Sequence, residues 1–501
     1  MTLKIRIVSL WVGLGLMACT VIHAQDEAAT TADWPQWGLT SLHNSSTQAL
    51  GQTPEVKLAH FTYDPFVSHE KAEEAGHLLA HYQVPLIDGE SVFLEYKTGK
   101  YVACDPPGSG QPYPCGPDDW NTEIWNERAF TWKNNALVKA WNFQSDWKPE
   151  PNTDLGGNDK GGLWGWEPVF HAALWNGNVF VPGFGGTIYK VSETNGKMLA
   201  HYNPFPSVDP NKFVSGPLTV DAVGNIYYNV IDLNAQSPWS ANVINSWLVK
   251  ITAAGVAQSV SYSQLTAKTT SDGSQRPGIN VAPAVSADGK TIYTASAAHF
   301  NPYDAYIIAV NSDLTAKWHT SLTNLAGGKI TGEVYDASSA SPVVLPDDSI
   351  LLGVLGGNSV RGYMLKFNAS GKYLTFYNFG WDETPAVYVH DGTYSVITKN
   401  NDYDTNGPYY ITQLNADLVP EWSYKSADNF EWCVNAPAVD DSGSVYGDSE
   451  DGNLFVIKQG GTSVEKIFLQ KAVNAAYTPV SIGRDGKIYT LNNGDMFAIG
   501  K

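Results

Sequence analysis

Residues 281–320 read VAPAVSADGKTIYTASAAHFNPYDAYIIAVNSDLTAKWHT, and this stretch decides the fold. It holds four short β-runs: VAPAVS, TIYTAS after Asp288-Gly289, AYIIAV beyond a polar loop, and LTAKWHT. Asp-Gly between β-rich runs predicts a hairpin, because glycine accepts positive φ and the turn's twist matches that of its strands.

The same unit recurs along the chain. A proline opens each copy, at Pro85, Pro168, Pro217, Pro283, Pro342, Pro385, Pro437 and Pro479. Turns follow at Asp88-Gly89, Asn176-Gly177, Val223-Gly224, Asp288-Gly289, Asp347-Asp348, Asp391-Gly392, Ser442-Gly443 and Asp485-Gly486. Second and third β-runs come next; in the first copy these read SVFLEY and KYVACD. Seven copies have a fourth run, and the eighth ends at Lys501 after its third. A matching run, EVKLAHFTYD at 55–64, stands near the front of the chain. The predicted fold is therefore all-β: an eight-bladed β-propeller of four-stranded blades, with an N-terminal strand completing the last blade and removing the open edge. Proline suits the innermost strand, whose free side faces the channel and needs no N–H. An open solenoid is the alternative, and the split last copy argues against it.

Composition agrees. The chain has 501 residues, 46 of them Gly, with 12% aromatic and 16% charged residues, which favours strands and tight turns. A formal charge of −19 without basic runs argues against nucleic-acid partners and anionic membrane surfaces. Residues 1–24 read as a signal peptide, with Lys4 and Arg6 before the apolar run IVSLWVGLGLMAC. Cleavage after Ala24 competes with a lipobox-like Leu16-Met17-Ala18-Cys19 that would anchor the chain by lipid. Residues 25–501 then form one exported domain, periplasmic or secreted, read as a monomer without a transmembrane segment. Cys104 and Cys115 flank the Pro/Gly-rich DPPGSGQPYP and are expected to form a disulfide there. Cys433 is left as a small apolar side chain.

DWPQWG at residues 33–38 and repeats of the form DGxIYxxxxxGxLxAI resemble the quinoprotein-like (PQQ-like) eight-bladed β-propellers, over essentially the whole mature chain. That family includes quinone-cofactor dehydrogenases and non-catalytic periplasmic scaffolds, so the resemblance implies the fold and leaves the function open.

In such a ring the blade-to-blade loops share one face with the loops joining second to third strands. Their chemistry is the most varied, so ligand contacts are expected there. Trp166, Glu167, Glu383, Asn435 and Tyr477 precede the proline anchors and should face the channel mouth. Arg276, Trp381 and Trp432 join them as candidate contacts to a flat anionic cofactor. Glu167 and Asn280 offer oxygen ligands for Ca²⁺, with Asp336 as the catalytic base. These assignments rest on loop position and side-chain chemistry. Each has an ordinary structural counterpart: acidic loop residues are solvated, and tryptophans pack between blades. His69, His77 and His81 have no defined metal spacing, and AEEAGHLLAHYQ reads as a short helix carrying His77 and His81 on one side.

Residues 105–135 interrupt the repeat with a Trp-rich, disulfide-stapled insertion. Its run GPDDWNTEIWNERAFTW is expected between a third and a fourth strand, on the opposite face or the rim, as an aromatic platform or a self-packed cap.

Three functions follow. The first is an exported binding or scaffold propeller for a protein or glycan partner. The second is an alcohol or sugar oxidoreductase using pyrroloquinoline quinone and Ca²⁺. The third is a propeller polysaccharide lyase with His81 or Tyr477 as base. The chain has no adjacent cysteines and no haem-attachment motif, which departs from the quinoprotein dehydrogenases.

Overall fold

The computed structural model describes residues 33–69, 83–101, 122–148, 169–233, 243–268, 273–335, 338–356, 361–380, 383–402, 407–426, 429–432, 434–472 and 478–501. They form eight antiparallel sheets, each paired in simple order from inner to outer strand. Blade 1 comprises Leu86–Asp88, Ser91–Gly99, Glu123–Lys133 and Ala136–Gln144. Blades 2 to 7 follow in chain order at 173–202, 212–261, 275–321, 332–380, 386–425 and 438–468. In blades 4 and 5 the innermost strand is split in two, both pieces pairing with the same second strand. Blade 8 takes Val480–Ile482, Ile488–Asn492 and Asp495–Gly500 from the C-terminal end. Its outer strand is Val56–Thr62, paired antiparallel with Asp495–Gly500 as the sequence predicts.

Local chemistry accounts for these elements. All eight inner turns place a left-handed residue at their second position, seven glycines and Asp348. Asp348 can do so because a short polar side chain is the least penalised there after glycine. Second strands are sandwiched between neighbouring blades, and Ile226–Leu233 is buried at every residue. Outer strands alternate instead, as in Tyr373–Gly380, because one side meets solvent. Adjacent blades are locked by aromatic docking. The Trp318 indole of blade 4 lies on Gly371 of blade 5, where an added Cβ would come 2.6 Å from a ring carbon. Its Nε1 donates to the Ala369 carbonyl at 3.0 Å. Trp141 does the same to blade 2, over Gly196 and with a 2.7 Å bond to the Glu193 carbonyl.

Residues 33–52 form an element that the repeat pattern does not announce. They thread across the channel at the inner-turn end and touch all eight blades. The main-chain N–H groups of Ile87, Leu174, Val285, Val344, Val387 and Val439 donate to the carbonyls of Trp34, Pro35, Ser41, Leu42, Asn44 and Ser45 at 2.7–3.0 Å. In blade 3 the Gln36 amide takes both roles, accepting from Val220 N at 2.6 Å and donating to Val220 O at 3.0 Å. In blade 8, Gln52 N donates to the Gly486 carbonyl. Inner-strand groups that an empty channel would leave bare are thus paired, as buried backbone requires. Gln36→Ala is expected to cost about 2–3 kcal/mol, since it orphans a buried N–H and C=O together. Urea unfolding of the two proteins measures it.

One strand assignment is corrected. KYVACD is not a third strand: blade 1's second strand ends at Gly99 and its third is Glu123–Lys133. The strand ends Gly99 and Glu123 therefore flank a second-to-third connection, at the end of blade 1 that carries the blade-to-blade loops. EIWNERAFTW is strand, with Trp125 and Trp132 buried. The β-rich look of KYVACD misled, because a real strand and the start of an insertion share the same local composition. Cys104, Cys115 and Cys433, with His77 and His81, lie outside the described residues.

Candidate functional site

With the inner-turn end of the channel stoppered by residues 33–52, the opposite mouth is where polar groups gather around the axis. The residues next to the proline anchors build its rim. Val169 N donates to Asn280 Oδ1 at 2.7 Å, linking blade 2 to blade 4. Ala282 N donates to Ser341 Oγ at 2.9 Å, and Ser341 N to Thr384 Oγ1 at 2.9 Å. Thr384 N donates to Asn435 Oδ1 at 2.8 Å, while Asn435 Nδ2 donates to Ser339 Oγ at 3.0 Å. Blades 4 to 7 are thereby laced together by short polar side chains, each fully buried. Asn280 Nδ2 is buried and has no partner among the described residues.

Between blades 4 and 5 the rim carries charge. Arg276 is 1% exposed on the inner strand pair Gln275–Arg276, and its Nη1 donates to the Val334 carbonyl at 3.3 Å. Burial, and then the Arg276 charge, push His299 down to about 3, so this imidazole is neutral at any ordinary pH. Glu333, on the inner strand of blade 5, is wholly buried. Burial pushes its carboxyl above the usual range, while the Tyr335 and Tyr303 hydroxyls pull it partly back. Arg276 and the neutral His299 imidazole thus sit together, with the buried Glu333 on the adjacent inner strand facing the Tyr303 and Tyr335 hydroxyls. Such clusters in a low-dielectric cleft are where functional chemistry concentrates.

The other sequence-predicted residues fall differently. Glu383 turns inward: its Oε2 accepts from Thr398 Oγ1 at 2.5 Å and Lys399 N at 2.9 Å, capping blade 6's second strand. Trp432 is fully buried, edge-on to Phe455 with centroids 5.0 Å apart, so its ring packs between blades 6 and 7. Asn435 serves the rim. Trp166, Glu167, Asp336, Trp381 and Tyr477 lie outside the described residues. No cluster of three or more His, Cys, Asp or Glu side chains able to hold a metal occurs among the described residues.

Sequence reasoning missed two buried acids. Asp448, on blade 7's second strand, accepts from Thr490 Oγ1 of blade 8 at 2.5 Å and is pushed up to about 8 by burial. Glu127, on blade 1's third strand opposite Glu95, is likewise pushed to about 8 by burial alone. A carboxylate inside an otherwise apolar strand (VYGDS, IWNERAF) was the available signal.

No protein-family model matches the chain, and no curated protein matches it in sequence. Among solved structures it is similar to a europium-containing methanol dehydrogenase, with TM-score 0.59 and 10% identity over 93% of this chain and 90% of that one. It is also similar to the quinohemoprotein alcohol dehydrogenase of Comamonas testosteroni, with TM-score 0.56 and 13% identity over 96% and 82% of the two chains. A third is the quinohemoprotein alcohol dehydrogenase ADHIIG of Pseudomonas putida HK5, with TM-score 0.54 and 10% identity over 94% and 76%. At such identities the likeness is one of architecture. By fold, then, this chain is an eight-bladed β-propeller similar to those of the three dehydrogenases.

Proposed function

We propose that the chain is an exported oxidoreductase of the quinoprotein type, acting on small alcohols or sugars with pyrroloquinoline quinone and Ca²⁺ at the mouth opposite the stopper. The observation that carries this reading is the set of buried polar side chains of blades 4 and 5, Arg276, Glu333 and Asn280, whose Nδ2 donor has no partner among the described residues, beside a channel closed at its far end. The donor set suits the group. A buried guanidinium pairs with the carboxylates of a flat anion, and an amide oxygen with a neighbouring carboxylate suits a hard cation. Arg276 would hold the quinone; Glu167, and Asn280 Oδ1 through the lone pair that Val169 N leaves open, would supply oxygens to the cation. Bound together, they supply a two-electron acceptor polarised by a Lewis acid. Asp336 is proposed to take the alcohol proton. Glu333, three residues before it, has its carboxyl raised above the ordinary range by burial. The three enzymes of like fold support this reading over a scaffold.

Purified protein mixed with the quinone and Ca²⁺ is expected to shift the quinone absorbance and to reduce dye when alcohols are added. Arg276→Leu should weaken quinone binding at least about tenfold, by loss of a buried charge-assisted contact. Failure of the quinone to bind at micromolar concentration would retire the proposal. One observation favours a second reading, a binding propeller for a protein or glycan. Most rim groups, Asn435, Ser339, Ser341 and Thr384 among them, are already engaged with one another. Trp quenching by oligosaccharides tests it.

A further inference from the structure

The outer strand of each blade has one side without a neighbour, and such an edge pairs with other strands unless charge, proline or shortness prevents it. Seven of the eight outer strands carry one of these devices. Lysine lies within Ala136–Gln144 of blade 1, Ala316–Ser321 of blade 4 and Val56–Thr62 of blade 8, as Lys139, Lys317 and Lys57. Blade 6 has Pro420, Glu421 and Lys425, and blade 7 has Glu465 and Lys466. The outer strands of blades 2 and 3, Met198–Tyr202 and Ala257–Ser261, are only five residues long, and the second runs straight into the helix Tyr262–Thr266.

Blade 5 has none of these devices. Its outer strand Tyr373–Gly380 spans eight residues, YLTFYNFG, without a charge or a proline. It pairs with Gly362–Phe367 on one side, and no described strand lies on the other. A bulge falls at Leu374, and from Thr375 to Asn378 the register is regular. Leu374 is 46% exposed and Phe376 37%, so apolar side chains stand in water beside a bare edge. The strand is also held in place. Trp318 of blade 4 lies on Gly371, two residues before it, and Arg361 donates to Asn378 Oδ1 and O at 2.8 and 3.1 Å near its end. An edge fixed in advance loses little freedom on pairing.

A strand edge is completed by another strand edge. Charged, proline-bearing or very short edges are poor partners, whereas a second copy of YLTFYNFG is a good one. Turned antiparallel about a two-fold axis near Thr375 and Phe376, it sets Tyr, Phe, Leu and Thr against the same residue types. Aromatic and Thr pairs are among the favourable cross-strand combinations, and a contact of this kind is closed by its own symmetry. Two four-stranded blades then become one eight-stranded sheet. A single strand pair covers less surface than a permanent dimer needs, so the association is weak and depends on concentration.

We propose that blade 5 is a dimerisation edge, its outer strand pairing antiparallel with the same strand of a second copy of this chain. Sedimentation velocity and light scattering of the full chain test it, from about 1 to about 300 μM. Salt of about 150 mM screens the repulsion between two chains of formal charge −19. A monomer–dimer equilibrium with Kd on the order of 10–100 μM is expected. Phe376→Lys should keep the melting temperature and weaken association at least about tenfold, because like charges then meet near the axis. Leu374→Lys should do the same and serves if the first variant does not fold. Met198→Lys, at a 52% exposed position on blade 2's outer strand, should leave the Kd unchanged. A chain that stays monomeric at the highest concentration overturns the proposal. So does a dimer that survives both blade 5 substitutions, or one that Met198→Lys also abolishes, since the contact then lies elsewhere or is unspecific. None of these results depends on whether quinone binds at the mouth.

Discussion

Lys97→Met is expected to cost about 3–5 kcal/mol, the usual penalty for removing one partner of a buried ion pair. Lys97 is 1% exposed, and its Nζ lies 2.8 Å from Asp64 Oδ2 and 3.8 Å from Glu123 Oε2, above the Trp125 ring. Asp64 closely follows the strand that closes the ring, so this contact ties the front of the chain to blade 1. Lys148 also approaches Glu123, through its carbonyl, and the Trp125 ring. The larger part of the loss should therefore come from stranding Asp64. Urea midpoints at pH 7 measure the effect, and Asp64→Asn added to Lys97→Met should restore much of it. A midpoint unmoved by Lys97→Met would mean that water reaches these carboxylates.

The second large effect depends on pH. Glu127 holds its proton up to about 8 in the folded chain, against 4.5 ordinarily. Between those values the native state keeps a proton that the unfolded chain has released. Stability therefore falls as pH rises through this window and levels off above it. Asp448 adds a contribution of the same sign, with its carboxyl also at about 8. Glu127→Gln, which cannot ionise, should leave stability at pH 4 nearly unchanged and raise it at pH 9 by on the order of 3 kcal/mol. The opposite limb belongs to the buried histidines. His43 and His171 are pushed down to about 4 by burial, and His299 to about 3. The unfolded chain takes up protons at these positions below about 6.5 while the native one does not, so stability falls as pH drops from there. Thermal melts from pH 4 to pH 9 should show a maximum between the two limbs, and Glu127→Gln should flatten only the alkaline one.

Strands and turns were legible because their causes are local. Asp288-Gly289 needs nothing beyond its own φ angles to make a hairpin, and the outer-strand alternation of YLTFYNFG is written residue by residue. The closing strand was legible for a further reason: a missing run at one end matched an extra run at the other. The stopper at 33–52 was not, since its bonds are main-chain carbonyls meeting N–H groups up to about 400 positions away, with no side-chain pattern to mark them. Position before a proline picks out Glu383 and Asn435 but cannot say whether they face a ligand or each other. Asn435 faces Ser339 and Thr384 on the rim, and Glu383 faces blade 6's own second strand. Trp432 shows the same limit: an aromatic in a loop and an aromatic between sheets have the same letter. The buried carboxyls at Glu127 and Asp448 were hidden by the expectation that charge stays outside.

The stopper and the closing strand come early in the chain, yet their partners are spread to its last residues. During synthesis, residues 33–62 emerge before any blade is complete and find no complete surface until Gly486 and Gly500 exist. Blades 1 to 7 can gather locally as they appear, but the ring cannot seal, and the apolar channel end stays uncovered, until the final strand is made. Such distant pairings are slow to form. A chain cut short after blade 7 should therefore remain protease-sensitive at its N-terminal end, and commitment to the native state should wait for blade 8.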